Sequence, residues 1–425
     1  MKRILKTLNI IFLFLFCFTY INLQNVQAET FPPQINAEGC ALIDASTGEV
    51  LYGKNEEKTF EPASTTKVMT ALITLEKCKF DDEVTVQEDY ISVGGTGVGL
   101  LKGDVLTVHD LLLGLLLDSD NTCANALADH ISGNVTEFAK LMNAKAKELG
   151  ALHTNFKNPS GMPDPEHVTT PHDLALILRE AIKNKDYLDI STTPAATLTL
   201  KNDSSKTFSV NNKNYMINKN SRYYYPYAIS GKNGYTTIAN QTYVAASQKD
   251  GHVLVAAFLN ALDKEQNFRD MKTVFNYGYD NYSLVHLYKK GDEISQYKIN
   301  DELTIPVISE KDIDYIVPKG KENTISSDIK IEYTNLSKKS FNKDDNILKG
   351  TVIVNDKDYT TVDLAAGVSR HYEPPLSIKS LSQKSNIPIY IGSGVAILAG
   401  LIGFRKFIKS SLMILKNSIT NKFKR

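Results

Sequence analysis

Glu61-Pro62-Ala63-Ser64-Thr65-Thr66-Lys67 puts a hydroxyl three residues before an amine in a segment that is turning helical. A serine hydroxyl does not ionise near neutral pH, so as a nucleophile it needs a base within hydrogen-bond reach, and a helix brings residues i and i+3 onto one face. Pro62 marks the start, and Val68, Ala71, Leu72 and Leu75 supply the apolar side of the helix that follows. A serine at a helix start also has a plain structural reading, an N-cap. The same spacing recurs at Ser295 to Lys298, Ser327 to Lys330 and Ser340 to Lys343, all in polar, strand-like stretches, so context singles out Ser64.

Two further elements stand downstream. Thr107-x-x-Asp110 resembles a capping box before the apolar run Leu111 to Leu117, which leads to Ser119-Asp120-Asn121. Much later, Lys232-Asn233-Gly234-Tyr235-Thr236 leads into a strand. Around them, Cys40 to Asp44 and Glu49 to Tyr52 read as a hairpin turning at Ser46-Thr47-Gly48. Thr170-Pro171 fits a cap and first-turn proline, and Gly150 closes a helical pattern from Thr136 to Leu149. Strands at Thr242 to Ala246 and Val253 to Leu259 join through Lys249-Asp250-Gly251, and Phe268, Met271, Val274 and Phe275 mark a last helix. Strands at both ends enclosing helices predict an α+β fold for residues 29–283.

Short strand signals follow at Glu302 to Val307, Tyr315 to Val317, Ile329 to Tyr333, Gly350 to Val354 and Thr360 to Leu364, which predicts a small β domain over 284–372. Residues 1–28 read as a secretory signal: Lys2, Arg3 and Lys6 precede the apolar run Leu8 to Tyr20, and Val26-Gln27-Ala28 offers a cleavage site. Residues 373–386 read as a stalk, 387–404 as a membrane-spanning helix and 405–425 as a basic cytoplasmic tail. The body is then expected outside the cytoplasm, held to the cell membrane by one span. An amphipathic segment at 407–424 lying on the membrane surface is the rival reading of the tail.

Forty-eight basic and 48 acidic residues leave no net charge, and without a basic stripe nucleic acid is excluded as a partner. Cys17 leaves with the signal. Cys40, Cys78 and Cys123 show no CxxC spacing and read as buried core thiols, and the eight histidines include no His-Glu-x-x-His, so no metal site is expected. Gly94-Gly95-Thr96-Gly97-Val98-Gly99 matches no phosphate-loop pattern and reads as a surface turn.

Ser-x-x-Lys, Ser-Asp-Asn and a Lys-Thr-Gly-like strand together resemble the set used by penicillin-binding proteins and serine β-lactamases. With Ala41 to Val50, Pro62 to Ala71, Asn158-Pro-Ser-Gly-Met162 and His167 to Asp173, the chain resembles the low-molecular-mass penicillin-binding proteins that are serine-type D-alanyl-D-alanine carboxypeptidases. The resemblance runs from about Ala37 to Arg370 and implies a β-lactamase/transpeptidase-like domain, an antiparallel sheet with a helical lobe, followed by a small all-β domain. It implies Ser64 as acylated nucleophile, Lys67 as its base and Ser119 as proton relay to the leaving D-alanine. Asn121 would hold the substrate amide, and Lys232, Asn233, Gly234, Tyr235 and Thr236 would line the substrate strand. The backbone N–H groups of Ser64 and Tyr235 would form the oxyanion hole, with Gly234 letting the substrate lie close. The implied partners are peptidoglycan stem peptides, with β-lactams as inhibitors and no cofactor. The chain departs from the family pattern at Asn233, usually Thr or Ser, and at Asn240, usually Gly. Two alternatives stay open: a non-hydrolytic wall-binding or β-lactam-sensing protein, and a serine β-lactamase using Glu166.

Overall fold

Alternation along three consecutive strands decides the architecture, because both faces of the sheet they form are covered. The computed structural model describes residues 32–89, 94–374, 404–406 and 408–410. The expected signal and most of the expected stalk, span and tail lie outside those residues. Among the described residues, no helix is long and apolar enough to cross a membrane.

Strands β1 (Gly39–Asp44) and β2 (Val50–Lys54) form the first hairpin. Two small ribbons follow, β3 (Glu83–Thr85) with β4 (Val105–Thr107) and β5 (Ala195–Thr199) with β6 (Thr207–Asn211). β7 (Ala228–Thr236), β8 (Asn240–Lys249) and β9 (His252–Ala261) complete an antiparallel five-stranded sheet in the order β2-β1-β9-β8-β7. β7 is therefore an edge strand. Asp250 and Gly251, both at positive φ, make the β8–β9 turn, as the Asp-Gly pair predicts.

Ile43, Val244, Ala246, Val255 and Ala257 point to one core, whereas Cys40, Leu42, Tyr243, Ala245, Leu254 and Ala256 point to the other. The period-two side-chain geometry of a strand thus builds two cores from one sheet. The first core is shared with α1 (Lys67–Lys77), α2 (Val108–Leu113), α3 (Asn121–Ser132), α4 (Val135–Glu148), α5 (Pro171–Ala181) and α6 (Lys185–Thr192). The second is closed by α7 (Lys264–Asn281), through Phe268, Met271, Val274 and Phe275. The helices start where polar side chains satisfy orphan N–H groups: Thr107 accepts from Asp110, Asp120 from Cys123, Asn134 from Glu137 and Thr170 from Asp173.

Close packing gathers the described residues into two compact units, the second made of Lys290–Lys311 and residues 328–374. The ribbon β10 (Tyr282–Tyr288) with β13 (Ile313–Pro318) belongs to the first unit, so the strand expected at Tyr315 to Val317 pairs there. In the second unit, β11 (Glu293–Lys298), β12 (Thr304–Ser309), β14 (Ser327–Ile331), β15 (Asn346–Val354) and β16 (Lys357–Ala366) form a sheet in the order β11-β12-β16-β15-β14. Val307, Leu348, Val352, Val362 and Leu364 fill its buried face.

Thr170 is a buried cap on a helix that lies against the central sheet, so its loss should be felt globally. Thr170→Ala is expected to lower unfolding free energy by about 1–2 kcal/mol, read as a lower denaturant midpoint at unchanged slope.

Candidate active site

Ser64 lies in a 3-10 turn, Ala63–Thr66, that runs directly into α1, and neither the Pro62 nor the Thr66 cap position has a side-chain cap. The N-cap reading of Ser64 therefore fails, and its hydroxyl faces Lys67 instead. The turn is bent by Ala63, whose φ of +49° is unfavourable for a residue with a Cβ. It is held by the Pro62 carbonyl, which accepts from the Thr65 hydroxyl at 2.6 Å and the Thr242 hydroxyl at 2.9 Å.

Lys67 is fully buried. Its Nζ lies 3.1 Å from Ser64 Oγ, 2.7 Å from Asn121 Oδ1 and 2.6 Å from the Ser160 carbonyl. Burial lowers its pKa to about 7, against the opposing pull of Asp120. The partner set suits the neutral amine: two N–H bonds go to Asn121 and Ser160, which can only accept there, and the lone pair is left for the Ser64 hydroxyl proton. A helix spacing and a dry pocket thus turn an ordinary lysine into a base at neutral pH.

The second motif follows α2 through a π-type turn, Gly114–Asp118, that ends with Ser119 in the left-handed conformation at φ +68°. That reversal aims the Ser119 hydroxyl at Lys232, whose Nζ is 2.9 Å away and also donates to the Asn233 carbonyl at 2.7 Å. Burial first and the neighbouring Lys67 second push the Lys232 pKa well below its ordinary value. An arriving carboxylate would oppose both effects and favour the ammonium. The structure thus brings Ser64, Lys67, Ser119, Asn121 and Lys232 together.

On β7, Gly234 is required by the protein itself. A Cβ there would lie 2.6 Å from the Ser64 backbone nitrogen and 2.6 Å from the Thr242 hydroxyl. The missing side chain is filled by the serine turn, which differs from the expectation that it makes room for substrate. Tyr235 is 58% exposed, and the Thr236 hydroxyl accepts from Ala239 N–H at 2.9 Å in the β7–β8 turn. Asn240 adopts φ +55°, a conformation open to Gly and tolerated by Asn, and its amide donates to Asn260 Oδ1 at 2.7 Å. The asparagine therefore does the backbone work of the usual glycine.

Two loops were not singled out as site residues. In Asn158–Met162, Asn158 Oδ1 accepts from the N–H groups of Ser160, Gly161 and Met162, and this turn aims the Ser160 carbonyl at Lys67. Gly161, at φ +84°, packs on the Ala63 carbonyl, which a Cβ would meet at 1.8 Å. His167 donates from Nε2 to the Thr66 hydroxyl at 2.9 Å, because its Nδ1 accepts from Lys157 N–H at 3.1 Å. Burial lowers its pKa to about 4, so it is a neutral strut.

The glycine cluster is the second loop. It is not a free surface turn: the Asn121 side-chain amide donates to the Gly94 carbonyl at 3.0 Å, Asn121 N–H to the Thr96 carbonyl at 2.8 Å, and Val98 N–H to Asp120 at 2.6 Å. Glu166 is 71% exposed and paired with Lys157 at 2.7 Å, and it is not among the hydrogen-bond partners of Lys67, which are Ser64, Asn121 and the Ser160 carbonyl. The β-lactamase alternative loses its base.

The family model for D-alanyl-D-alanine carboxypeptidase matches residues 25–263, and that for the C-terminal domain of penicillin-binding protein 5 matches residues 282–371. The D-alanyl-D-alanine carboxypeptidase DacF of Bacillus subtilis is 30% identical over 304 residues, covering 70% of this chain and 76% of that protein. DacB2 of Mycobacterium tuberculosis is 34% identical over 252 residues, covering 58% and 84%. Among solved structures, a Mycobacterium tuberculosis D-alanyl-D-alanine carboxypeptidase superposes with a TM-score of 0.53 at 33% identity, covering 60% of this chain and 96% of that one. Penicillin-binding protein 5 of Haemophilus influenzae shares the fold, with a TM-score of 0.66 at 24% identity over 80% of this chain and 99% of that one. With motifs, fold and relatives in agreement, the chain is a member of the D-alanyl-D-alanine carboxypeptidase family of low-molecular-mass penicillin-binding proteins.

Proposed function

We propose that this serine peptidase removes the terminal D-alanine of peptidoglycan stem peptides through an acyl-enzyme on Ser64. The observation that carries the reading is the buried Lys67 amine, 3.1 Å from Ser64 Oγ with a pKa near neutrality. Ser64 Oγ attacks the carbonyl carbon of the penultimate D-alanine as its proton passes to Lys67. The Ser64 and Tyr235 N–H groups stabilise the oxyanion, one such donor being worth about 3 kcal/mol of barrier. Ser119, held by Lys232, relays a proton to the leaving D-alanine amine, and water then hydrolyses the ester.

Asn121 binds the substrate amide, while Lys232 and Thr236 meet the terminal carboxylate. The open edge of β7 suits an extended peptide. Asn233 replaces a hydroxyl by an amide that still donates. A β-lactam, whose strained amide mimics the same carbonyl, acylates Ser64 and inhibits.

The family works outside the cytoplasm. For this chain the reading adds export by the signal at 1–28, a peptidase domain over 29–283, a β domain over 284–372, a stalk over 373–386, a membrane span over 387–404 and a basic tail over 405–425. The apolar run before the Lys- and Arg-rich terminus supports the span.

The test is D-alanine release from a stem peptide ending in D-Ala-D-Ala, with Ser64→Ala alongside. Wild type is expected to release D-alanine and to be labelled by a fluorescent penicillin, and Ser64→Ala to do neither; labelling of the variant would remove Ser64 from the role, and no release by folded wild type would favour a binding protein. Because the base must be unprotonated, kcat/KM is expected to climb about tenfold per pH unit below pH 7 and level off above the Lys67 pKa of about 7. A flat profile between pH 5 and 8 would assign the base elsewhere. Gly234→Ala forces the Ser64 turn off strand β7, so acylation is expected to fall at least a hundredfold with the protein still folded by circular dichroism.

A further inference from the structure

Cys78 is the cysteine that departs from the core reading. Cys40 and Cys123 are buried, but Cys78 is only half-buried, forms no disulfide and lies in the turn just beyond α1. Its thiol, an Asp82 carboxylate oxygen and a ring nitrogen of His130 all lie within 4.8 Å of one another. Sequence spacing hides the group, since the first two come from one turn and the histidine from the last turn of α3, 48 residues on from Asp82.

We propose that Cys78, Asp82 and His130 bind a zinc ion, which braces together the ends of α1 and α3 that lie opposite Lys67 and Asn121. The donor set decides the ion: a thiolate and an imidazole favour zinc over the hard cations calcium and magnesium, and one sulfur, one nitrogen and one oxygen leave a fourth tetrahedral position for water. His130 also borders an open groove lined by Thr85, Gln87, Glu88 and Asn134.

The turn that carries two of the three ligands is held in place. Cys78 N–H donates to the Thr74 carbonyl at 2.9 Å, and Lys79 N–H donates to Asp82 Oδ2 at 2.8 Å, orienting the carboxylate. The turn is pinned from outside by Val108 N–H on the Asp82 carbonyl at 2.9 Å and His109 N–H on the Phe80 carbonyl at 3.1 Å. Binding of zinc by the Cys78 thiolate would release the thiol proton. A second grouping, Glu57, His153 and Asp173, carries no such inference: Glu57 already pairs with His153 and His172, and Asp173 accepts from His153 N–H and the Thr154 hydroxyl.

The position gives the ion a role. α1 begins at Lys67 and α3 at Asn121, the two residues joined at 2.7 Å in the active site, and the proposed ligands lie at the other ends of the same two helices. An ion there would resist splaying of the helices without touching substrate.

The experiment takes the full chain, stripped of metal and kept reduced, and titrates Zn²⁺ in competition with a chromophoric chelator. Wild type is expected to bind one equivalent, with Cys78→Ser and His130→Ala each weakening binding at least about tenfold. At equal zinc, the Tm of wild type should rise more than that of either variant. Cobalt loading should give a thiolate charge-transfer band that Cys78→Ser abolishes. His130 is exposed, so its replacement leaves the fold intact and the comparison decisive. Failure of wild type to compete with the chelator, or binding by both variants as tight as that of wild type, would overturn the assignment, and neither result bears on Ser64.

Discussion

A lysine amine withdrawn from water is the constraint on which the catalytic unit is organised. Removing an ammonium from solvent is expensive unless it is paired or loses its proton. Among the described residues, Lys67 has no carboxylate in direct contact; its hydrogen-bond partners are a hydroxyl, an amide oxygen and a peptide carbonyl. Each comes from a different part of the chain. The hydroxyl comes from the turn before α1, the amide from the first residue of α3, and the carbonyl from a loop that Asn158 folds around its own side chain. The tertiary structure thus converges on one nitrogen, whose pKa burial lowers to about 7.

The nucleophile's turn shows the same economy of space. Ala63 stays in a left-handed conformation because Gly161 and Gly234 approach it and the following turn too closely for any other residue. Strain of this kind persists only where the surroundings over-determine it. Here β7, β8 and the Asn158–Met162 loop do so together, and the Ser64 N–H is left next to the strand that a substrate would pair with.

Much of this was legible in the sequence, for identifiable reasons. Ser64 with Lys67 and the caps at Thr107 and Thr170 are local patterns of short spacing, whereas Ser119, Asn121 and Lys232 stand out only through the resemblance of the three motifs together to one family's set. The β8–β9 turn could be read because Asp-Gly needs positive φ. Other contributions could not be read. That Ser160 matters through its carbonyl, 93 residues from Lys67, leaves no mark on residue type. The glycine cluster looked like a loose turn because its glycines are explained only by the proximity of Asn121, which a Cβ on Gly95 would meet at 2.2 Å. Asn240 looked like a departure until its φ showed an asparagine standing where a left-handed residue is needed. Cys78, Asp82 and His130 share no spacing rule because their nearness is a product of helix packing.

The strand order carries a consequence for how the molecule comes into being. β1 pairs with β9, Gly39 opposite Leu259, so the first strand made waits for the last before the central sheet can close. The helices that carry Lys67 and Asn121 lie between them in the chain. A chain emerging from the ribosome, or crossing a membrane, therefore cannot pair Gly39 with Leu259 until the roughly 220 residues that separate them have followed. Closure of the central sheet thus comes after synthesis of the whole segment that carries Ser64, Lys67, Ser119, Asn121 and Lys232.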